Sequence, residues 1–312
     1  MSRTRSGVRV LLTGAAGFIG SHVARLLVRQ GHDVTAIVRA GTDMWRLRDI
    51  ESGLDVIHGD LTELAAVKPR LGAKQLEICI HLAWKGWSGK AEADANLTSL
   101  GISLELLRSM PDLGIPRFVA AGTCFEYHLT ADRLAETTRL TPHDLYGACK
   151  KSLFEVAQEF SVLTGVSVVT PRIFYSYGPY EDRRRLVPSI VGSLLKNQVA
   201  KVTPGAQVRD YLHVEDIASA IWAIATSDAI GAVNVASGEA VTIAHLATRL
   251  GEIAGRPDLI ALGQLPYREG KPMHILSDAT RLRGTLRFEP RYDLDSGLRQ
   301  TVDWWRKQVA YA

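Results

Sequence analysis

The sequence is poor in the features that mark secreted and metal-binding proteins. It contains three cysteines among 312 residues, an odd number that argues against a disulfide framework. Cys79, Cys124 and Cys149 lie in apolar or structured contexts, so we expect each to be a small buried side chain. No Cys/His cluster has the spacing of metal ligands. The sequence therefore predicts no metal site.

Long apolar runs and a strong charge are also lacking. No stretch approaches the run of about 18 apolar residues that spans a membrane. The apolar run after the basic N-terminus is interrupted by Thr13, Gly14 and Gly17, which argues against an export signal and favours the cytoplasm. A net charge of +4 is too weak and dispersed for nucleic-acid binding, although it suits an anionic small molecule. With 46% hydrophobic residues, the chain can build a large core.

Apolar segments alternate with helical patterns through the first half of the chain. Segments typical of buried strands occur at 8–13, 33–38, 54–59, 75–83, 117–122 and 166–174. Helical patterns cover 18–31, about 95–110 and about 143–164. This alternation predicts an α/β fold, a doubly wound parallel sheet with helices on both faces. Such sheets bind ligands beyond the carboxyl ends of their strands.

A glycine-rich turn, TGAAGFIG at 13–20, joins the first strand to the first helix. Gly14 permits a tight turn, Gly17 lets a pyrophosphate approach the backbone, and Gly20 permits close packing of helix on strand. The phosphates would lie at the positive end of the helix. This context predicts a Rossmann-type dinucleotide-binding domain. The residues expected to contact the dinucleotide here are Gly14, Ala16, Gly17, Phe18 and Ile19.

The end of the second strand bears on the choice of dinucleotide. An acidic residue there would bind the ribose 2′-hydroxyl of NAD, but the strand runs into Arg39. A guanidinium can pair with a 2′-phosphate, so NADP(H) is favoured and NAD(H) stays possible, since Arg39 is also compatible with a solvated strand end. Asp60 either contacts the adenine edge or caps the following helix.

The pattern changes after Pro171, where short segments and several Gly and Pro residues predict a smaller C-terminal α/β region. We place the dinucleotide-binding domain at 1–170 and a mainly substrate-binding domain at 171–312, with 213–236 packing back on the first. The tail at 294–308 is typical of an amphipathic helix, with Trp304 and Trp305 as core anchors.

Motifs along nearly the whole chain resemble those of the extended short-chain dehydrogenase/reductases, in particular the NAD(P)-dependent nucleotide-sugar epimerase/dehydratase family. They are TGAAGFIG (13–20), GDL (59–61), HLAW (81–84), NLTSLGISLELL (96–107), FVAAGTCFEY (118–127), LYGACK (145–150), PRIFYSYGP (171–179) and RDYLHVEDIA (209–218). The resemblance implies a nucleotide-diphosphate-sugar substrate and a homodimer formed through the helices around 95–110 and 143–164. It adds Asp60, Leu61, Leu82, Ala83, Tyr146 and Lys150 to the expected cofactor contacts.

The resemblance also implies the catalytic residues. Tyr146 and Lys150 lie four residues apart and share a helix face, a spacing that alone does not distinguish a surface pair from a catalytic couple. By resemblance, Tyr146 protonates the oxygen of a carbonyl that receives hydride from the nicotinamide, and Thr123 orients that oxygen. A phenol has a pKa of about 10. A nearby ammonium and the positive nicotinamide ring would lower that pKa, and Lys150 would also bind the nicotinamide ribose.

One departure from the family narrows the activity. Family members that dehydrate nucleotide sugars carry Asp-Glu directly after the catalytic threonine, whereas this chain has Cys124 and Phe125. A thiol and a phenyl ring cannot replace that acid/base pair. Glu126 is one position late, and on a strand it would point elsewhere. We therefore do not expect 4,6-dehydratase activity.

Other departures concern the substrate. Tyr175 occupies the place of an asparagine that contacts the nucleotide sugar in the family, and Trp84, followed by Trp87, replaces a small residue. These tryptophans either wall the sugar or nicotinamide pocket or pack in the core. Two arginines fall at or near family positions for diphosphate ligands. The expected substrate contacts are Trp84, Thr123, Cys124, Tyr175, Arg209 and Arg268. The run 183–185 is either a solvated loop or subunit edge, or a basic lid.

The favoured hypothesis is NADPH-dependent reduction of a nucleotide-linked 4-keto-(6-deoxy)hexose. It rests on Arg39, on the complete set of Thr123, Tyr146 and Lys150, and on the missing Asp-Glu pair. The alternative is a nucleotide-sugar 4-epimerase with tightly bound NAD. A non-catalytic dinucleotide sensor or scaffold is disfavoured, because such proteins often lose the tyrosine or the lysine.

Overall fold

The computed structural model describes residues 7–86, 92–129, 133–270 and 272–310, so Trp87 lies outside the described residues. The chain divides into two compact units. The first comprises Met1–His128, Thr138–Ile173 and Ala218–Val233, and the second comprises Leu129–Thr137, Phe174–Ile217 and Asn234–Ala312. The segment 218–233, which groups with the first unit, lies within the stretch 213–236 that was expected to pack there, whereas 129–137 groups with the second unit although it precedes the predicted boundary at 170.

The secondary structure follows the predicted alternation. In chain order the strands are β1 (Arg9–Thr13), β2 (Asp33–Val38), β3 (Leu54–His58), β4 (Ile78–His81), β5 (Arg117–Ala120), β6 (Gly122–Thr123), β7 (Arg133–Leu134), β8 (Ser167–Ile173), β9 (Tyr175–Tyr177), β10 (Ala200–Lys201), β11 (Val208–Arg209), β12 (Tyr211–His213), β13 (Gly231–Val235), β14 (Val241–Thr242), β15 (Ile260–Ala261) and β16 (His274–Ser277). The helices are α1 (Phe18–Arg29), α2 (Leu64–Gly72), α3 (Ala93–Arg108), α4 (Leu145–Thr164), α5 (Leu186–Leu195), α6 (Val214–Ala225), α7 (Ile243–Ala254) and α8 (Leu294–Ala310).

The first unit is built on a mostly parallel sheet with strand order β13-β8-β5-β4-β1-β2-β3 and β6 beside β8. Strand β1 pairs in parallel with both β2 and β4, so that Leu12 lies opposite Ala36 on one side and Ile80 on the other. The chain winds outward from β1 in both directions. The reversal between β1 and β4 is the place where doubly wound sheets bind ligands. The predicted Rossmann-type α/β fold is confirmed.

Helices cover the sheet, which fits the burial of nearly every residue in its central strands β1, β4 and β5. One face packs against α2, α3 and α4 around Leu11, Cys79, Phe118 and Val168. All three cysteines are buried, as predicted. Helix α4 starts at Leu145 because the Asp144 side chain accepts a hydrogen bond from the Gly147 backbone amide, 2.8 Å away.

The second unit has smaller sheets, with strand orders β14-β11-β16-β7, β12-β9 and β10-β15. Its core gathers apolar side chains from α5, α7 and α8, among them Val191, Leu246 and Leu298. Trp305 is buried in this core and Trp304 packs against it, as predicted for the terminal helix.

Helices α5 and α7 were not predicted, and α2 was expected only as a helix after Asp60, without bounds. Helix α2 is short and contains Pro69, so it shows little of the helical period. None of the helices in the described part of the chain combines the length and apolar content needed to cross a bilayer.

Candidate active site

The predicted cofactor contacts of the first unit lie at one edge of the sheet. The glycine turn follows β1, Arg39 follows β2, Asp60 and Leu61 follow β3, and Leu82 and Ala83 follow β4. Because these strands are adjacent and parallel, their carboxyl ends meet at the same edge. The topology therefore brings together segments that are far apart in the sequence.

Two glycines of the turn, Gly14 and Gly20, have no room for a side chain. Gly14 has a positive φ of 77°, and a Cβ there would lie 2.6 Å from the Ala83 backbone nitrogen. A Cβ on Gly20 would lie 2.0 Å from the Gly14 carbonyl oxygen. Gly17 is the N-cap of α1, where no side chain caps the helix and no acidic residue lies in the first turn. This helix end fits the pyrophosphate of a dinucleotide, since its partial positive charge is open to an anion.

The surroundings of the turn include an arginine that the sequence analysis missed. The Arg46 guanidinium donates a hydrogen bond to the Ala16 carbonyl oxygen, 3.4 Å away. Arg39 is exposed at the end of β2. Asp60 caps the short turn Leu61–Glu63 by accepting from the Thr62 amide at 2.9 Å, and that bond is the main reason why its pKa is lowered. The capping alternative for Asp60 is thus observed.

His81, a buried residue at the end of β4, links this strand end to β1 and to α3 through its two ring nitrogens. Its ring nitrogens lie 2.7 Å from the Thr13 hydroxyl oxygen and 2.8 Å from the Ser103 hydroxyl oxygen. Burial, with a smaller effect of the Lys150 charge, lowers the pKa of His81 to about 3. The imidazole is therefore neutral at physiological pH and orients the segment that carries Leu82 and Ala83. Its place in HLAW gave the only sequence signal for this role.

Tyr146 is buried in the first turn of α4, beside Thr123. Close approach of the helix is possible because residue 147 is glycine, where a Cβ would lie 2.3 Å from the Phe125 carbonyl oxygen. Burial raises the pKa of Tyr146, whereas a hydrogen bond with the Thr123 side chain lowers it. The net direction is opposite to the tuning that the sequence predicts, because burial is the largest influence. The positive end of α4 favours the phenolate.

Lys150 lies one helical turn after Tyr146 and is only 6% exposed. Its ammonium donates a hydrogen bond to the Ala121 carbonyl oxygen at 2.7 Å and lies 3.8 Å from the centre of the Trp84 indole ring. Burial lowers the pKa of Lys150 to about 7, and the charge of Glu126 acts in the opposite direction. The pair Tyr146 and Lys150 is therefore not a surface pair.

Two aromatic rings stand edge-on to the Tyr146 ring. The ring centres of Trp84 and Phe125 lie 6.2 Å and 6.3 Å from it. The Trp84 indole N–H donates to the Asn96 side-chain oxygen at 3.0 Å, which fixes the indole. Trp84 packs against the core, which is one of the two alternatives that the sequence left open, and it also contacts Lys150.

The expectation that Glu126 lies on a strand was wrong. Cys124–Glu126 form a turn of 3-10 helix, because the Thr123 side chain and the Glu126 carboxylate cap it reciprocally. Glu126 is completely buried and pairs with Arg172. Cys124 is also buried, at 1% exposure. The turn thus presents no free carboxylate directly after Thr123.

In the second unit, the structure brings together two of the predicted substrate contacts. The Arg209 guanidinium carbon lies 5.3 Å from the centre of the Tyr175 ring. Its terminal nitrogens donate to the carbonyl oxygens of Val208, Pro272 and Met273 at 2.7 to 3.0 Å. Arg268 is exposed, four residues before Pro272 in the sequence.

The basic run of the second unit has local partners. Arg184 pairs with Asp182, Arg185 lies 3.8 Å from the Glu181 carboxylate, and Arg183 lies over the Trp305 ring. These contacts favour a solvated loop for 183–185. Among the described residues, no three His, Cys, Asp or Glu side chains form a group that could hold a metal ion.

A glycine turn at a Rossmann switch point, followed by a buried tyrosine, lysine and threonine, defines an extended short-chain dehydrogenase/reductase. The chain belongs to the NAD dependent epimerase/dehydratase family, whose model matches residues 10–236.

Individual relatives cover almost the whole chain. A dTDP-glucose 4,6-dehydratase of Streptomyces griseus is 30% identical over 97% of this chain and 95% of its own length. A UDP-N-acetylglucosamine 4-epimerase of Methanobrevibacter ruminantium, solved with UDP-N-acetylmuramic acid, has a TM-score of 0.87 at 26% identity, covering 97% of this chain and 99% of its own. A UDP-glucose 4-epimerase of Thermotoga maritima, solved with UDP-glucose, has a TM-score of 0.88 at 23% identity, covering 97% and 100%.

Proposed function

We propose that the protein is a nucleotide-sugar 4-epimerase, which inverts the hydroxyl at C4 of a hexose linked to a nucleoside diphosphate. The observation that carries this proposal is the lack of an acid/base pair in the turn that follows Thr123, beside Tyr146. Thr123 is followed by Cys124 and Phe125, and the next carboxylate in the sequence, Glu126, is buried against Arg172. Dehydration needs an acid and a base for the leaving hydroxyl, whereas epimerisation needs one proton-transfer group and a dinucleotide.

The residues of the first unit divide the work of this reaction. The glycine turn and the N-terminal end of α1 would hold the dinucleotide, which would supply reversible hydride transfer at C4 of the sugar. Tyr146 takes the proton of the C4 hydroxyl and later gives it back, so the reaction balances without an external oxidant. Thr123 orients the C4 oxygen through its hydroxyl, and the Lys150 ammonium stabilises the phenolate. The rings of Trp84 and Phe125, which pack against Tyr146, limit the access of water to its hydroxyl.

The substrate class is supported by the relatives and by the second unit. The related proteins are a dehydratase and epimerases of nucleotide sugars. Arg209, with Tyr175 beneath it, supplies a positive charge for a diphosphate. Arg268 is proposed to reach the same diphosphate from its exposed segment.

A panel of dTDP- and UDP-hexoses, followed by proton NMR at C4, tests the proposal. We expect interconversion of the C4 epimers for at least one sugar, and a loss of about 10²- to 10⁴-fold in kcat for Tyr146→Phe, since general acid–base catalysis contributes that much. Formation of a 4-keto-6-deoxy sugar would instead identify a dehydratase. An unchanged rate in Tyr146→Phe would rule out the assigned role of the tyrosine.

NADPH-dependent reduction of a 4-keto sugar is the second candidate, and Arg39 favours it. An arginine at the end of β2 suits the 2′-phosphate of NADP, while the family is named for NAD. Fluorescence titration with NADPH and NADH distinguishes the two. Stronger NADPH binding, lost in Arg39→Ala but kept in Arg184→Ala, together with NADPH consumption on a 4-keto sugar, would replace the epimerase by a reductase.

We also propose that the protein is a homodimer formed through α3 and α4. Leu97, Val156, Val162 and Leu163 are large apolar side chains exposed on these helices, as expected for a surface that a second copy covers. Sedimentation velocity measures the oligomeric state. We expect a dimer of the 34.1 kDa chain, converted to a monomer by Leu97→Glu together with Val156→Glu.

A further inference from the structure

A buried ion pair, Glu126 with Arg172, contacts the backbone of Thr123 and has no part in the reaction described so far. Glu126 and Arg172 are 0% and 1% exposed, and the Arg172 Nε donates to the Glu126 Oε2 at 2.7 Å. Burying two charges carries a desolvation penalty that their mutual attraction must first offset. A buried pair is therefore weak support for stability alone, which raises the question of what this one positions.

The other carboxylate oxygen of Glu126 holds the backbone of Thr123. Glu126 Oε1 accepts the Thr123 backbone N–H at 2.8 Å, and the Thr123 hydroxyl accepts the Phe125 N–H at 3.4 Å. Gly122 leaves the space for this carboxylate, because a Cβ there would lie 2.5 Å from Glu126 Oε1. The orientation of the Thr123 side chain thus depends on Glu126.

Arg172 connects the same carboxylate to the helix that carries Tyr146 and Lys150. Its guanidinium carbon lies 4.5 Å from the centre of the Phe154 ring, and Phe154 follows Lys150 by one turn on α4. The Tyr127 hydroxyl accepts a further bond from Arg172 at 3.1 Å. Glu126 is therefore anchored on the side away from Thr123, and it cannot move without disturbing Arg172.

Glu126 is also the charged group that acts on Lys150. Two titratable groups on elements next to Lys150 are His81 of β4, whose pKa the Lys150 charge lowers, and Tyr146, one turn earlier on α4. The third is Glu126, which accepts from the Thr123 amide, two residues after the Ala121 carbonyl oxygen that the ammonium binds. Burial keeps the first two neutral, since it lowers the pKa of His81 to about 3 and raises the pKa of Tyr146. The Glu126 charge opposes the effect of burial on the pKa of Lys150.

We propose that Glu126, anchored by Arg172, is a positioning residue for the reaction: it fixes Thr123 through the backbone amide and balances the charge of Lys150. The inference rests on the proposed function for its catalytic consequence. Its electrostatic part concerns Lys150 itself and is measurable without a substrate.

Two variants separate the two roles. Glu126→Gln keeps the size of the side chain and removes its charge, whereas Glu126→Asp keeps the charge and draws it back from the Thr123 amide. Glu155→Gln is the matched control, because it is the same chemical change at an exposed position of α4.

Lys150 is titrated by carbon NMR of protein labelled with ¹³Cε-lysine, with its signal assigned by Lys150→Arg. We expect a midpoint near pH 7 in the wild type and in Glu155→Gln, and a midpoint lower by about one pH unit in Glu126→Gln, because an opposite charge has been removed. Glu126→Asp should keep the wild-type midpoint to within about 0.3 units, since its carboxylate is retained. An unchanged midpoint in a folded Glu126→Gln would overturn the electrostatic role.

Turnover tests the positioning role. In Glu126→Asp we expect kcat to fall by about tenfold at a nearly unchanged KM, as for a group that acts only in the transition state. Full kcat in this variant would refute the positioning of Thr123, even if Glu126→Gln failed to fold. If no nucleotide sugar is turned over by the wild type, the proposed function fails while the Lys150 titration still decides the role of Glu126.

Discussion

Arg172 in the first unit and Arg209 in the second are both nearly buried, at 1% and 8% exposure, but their charges are neutralised differently. Arg172 has a carboxylate partner in Glu126. Arg209 donates to three backbone carbonyl oxygens and, within the described ranges of the chain, makes no ion pair. In the first arrangement, the positive charge of Arg172 is neutralised by the carboxylate of Glu126. The second retains a positive charge, which suits an anionic ligand.

This difference suggests separate roles for the two arginines, a structural role for Arg172 and a ligand-binding role for Arg209. A compensated buried charge has no reason to attract a phosphate, so Arg172 is expected to fix the geometry around Thr123. A buried guanidinium that is held only by carbonyls is oriented in advance and still cationic. For this pair of arginines, the presence or absence of a carboxylate partner, more than burial, is therefore the basis on which Arg209 is proposed as the ligand contact.

Removing Arg172 should have the largest effect on stability. Arg172→Met leaves Glu126 buried without its partner, and breaking a buried ion pair in this way costs about 3–5 kcal/mol. Equilibrium unfolding in urea measures the loss. The double variant Glu126→Gln with Arg172→Met should recover part of it, because no unpaired charge remains.

Arg184→Met is the control for this experiment. Arg184 is exposed and paired with Asp182, so its loss should leave the unfolding midpoint unchanged. Equal stabilities of Arg172→Met and Arg184→Met would contradict the view that the first unit depends on a compensated internal charge.

His81 shows a further way to bury a polar group, which is to keep it neutral. Burial lowers its pKa from 6.5 to about 3, so the unfolded chain binds the proton more readily between these values. Stability is therefore lost as the pH falls below 6.5. Between pH 6.5 and 5 the loss from this group is about 2 kcal/mol, since one pKa unit corresponds to about 1.4 kcal/mol.

The pH effect of His81 is isolated by comparing variants. The free energy of unfolding of His81→Gln should change less between pH 6.5 and 5 than that of the wild type, by about 2 kcal/mol. His245→Gln removes an exposed imidazole and should reproduce the wild-type pH dependence. A parallel pH dependence of His81→Gln and the wild type would show that His81 is not the acid-sensitive group.

Much of the first unit could be predicted from the sequence, because its signals are local. The strand at 33–38 was predicted with its observed bounds, since it is rich in the apolar and β-branched residues typical of a buried parallel strand. The glycine turn and the spacing of Tyr146 and Lys150 are also local, and they indicate where a phosphate and a proton-transfer pair would lie.

The features that were missed depend on contacts distant in sequence. Glu126 was placed on a strand because its partner, Arg172, lies 46 residues later in the sequence. No residue close to Glu126 in the sequence indicates this pairing. Gly147 looked like part of a motif, whereas it permits α4 to approach the Phe125 carbonyl. The carbonyl partners of Arg209 at Pro272 and Met273 are likewise 63 and 64 residues away.

The last prediction concerns Arg209, where the expected effect is on ligand affinity. Arg209→Lys keeps the charge but loses the planar guanidinium, which pairs with phosphate oxygens in a bidentate manner. We expect UDP to bind about tenfold more weakly, which corresponds to about 1.4 kcal/mol, as measured by isothermal titration calorimetry. Arg183→Lys, in the basic run, should bind UDP like the wild type. If instead Arg172→Lys weakened UDP binding while Arg209→Lys did not, the compensated arginine would be the ligand contact and the assignment of the two charges would have to be reversed.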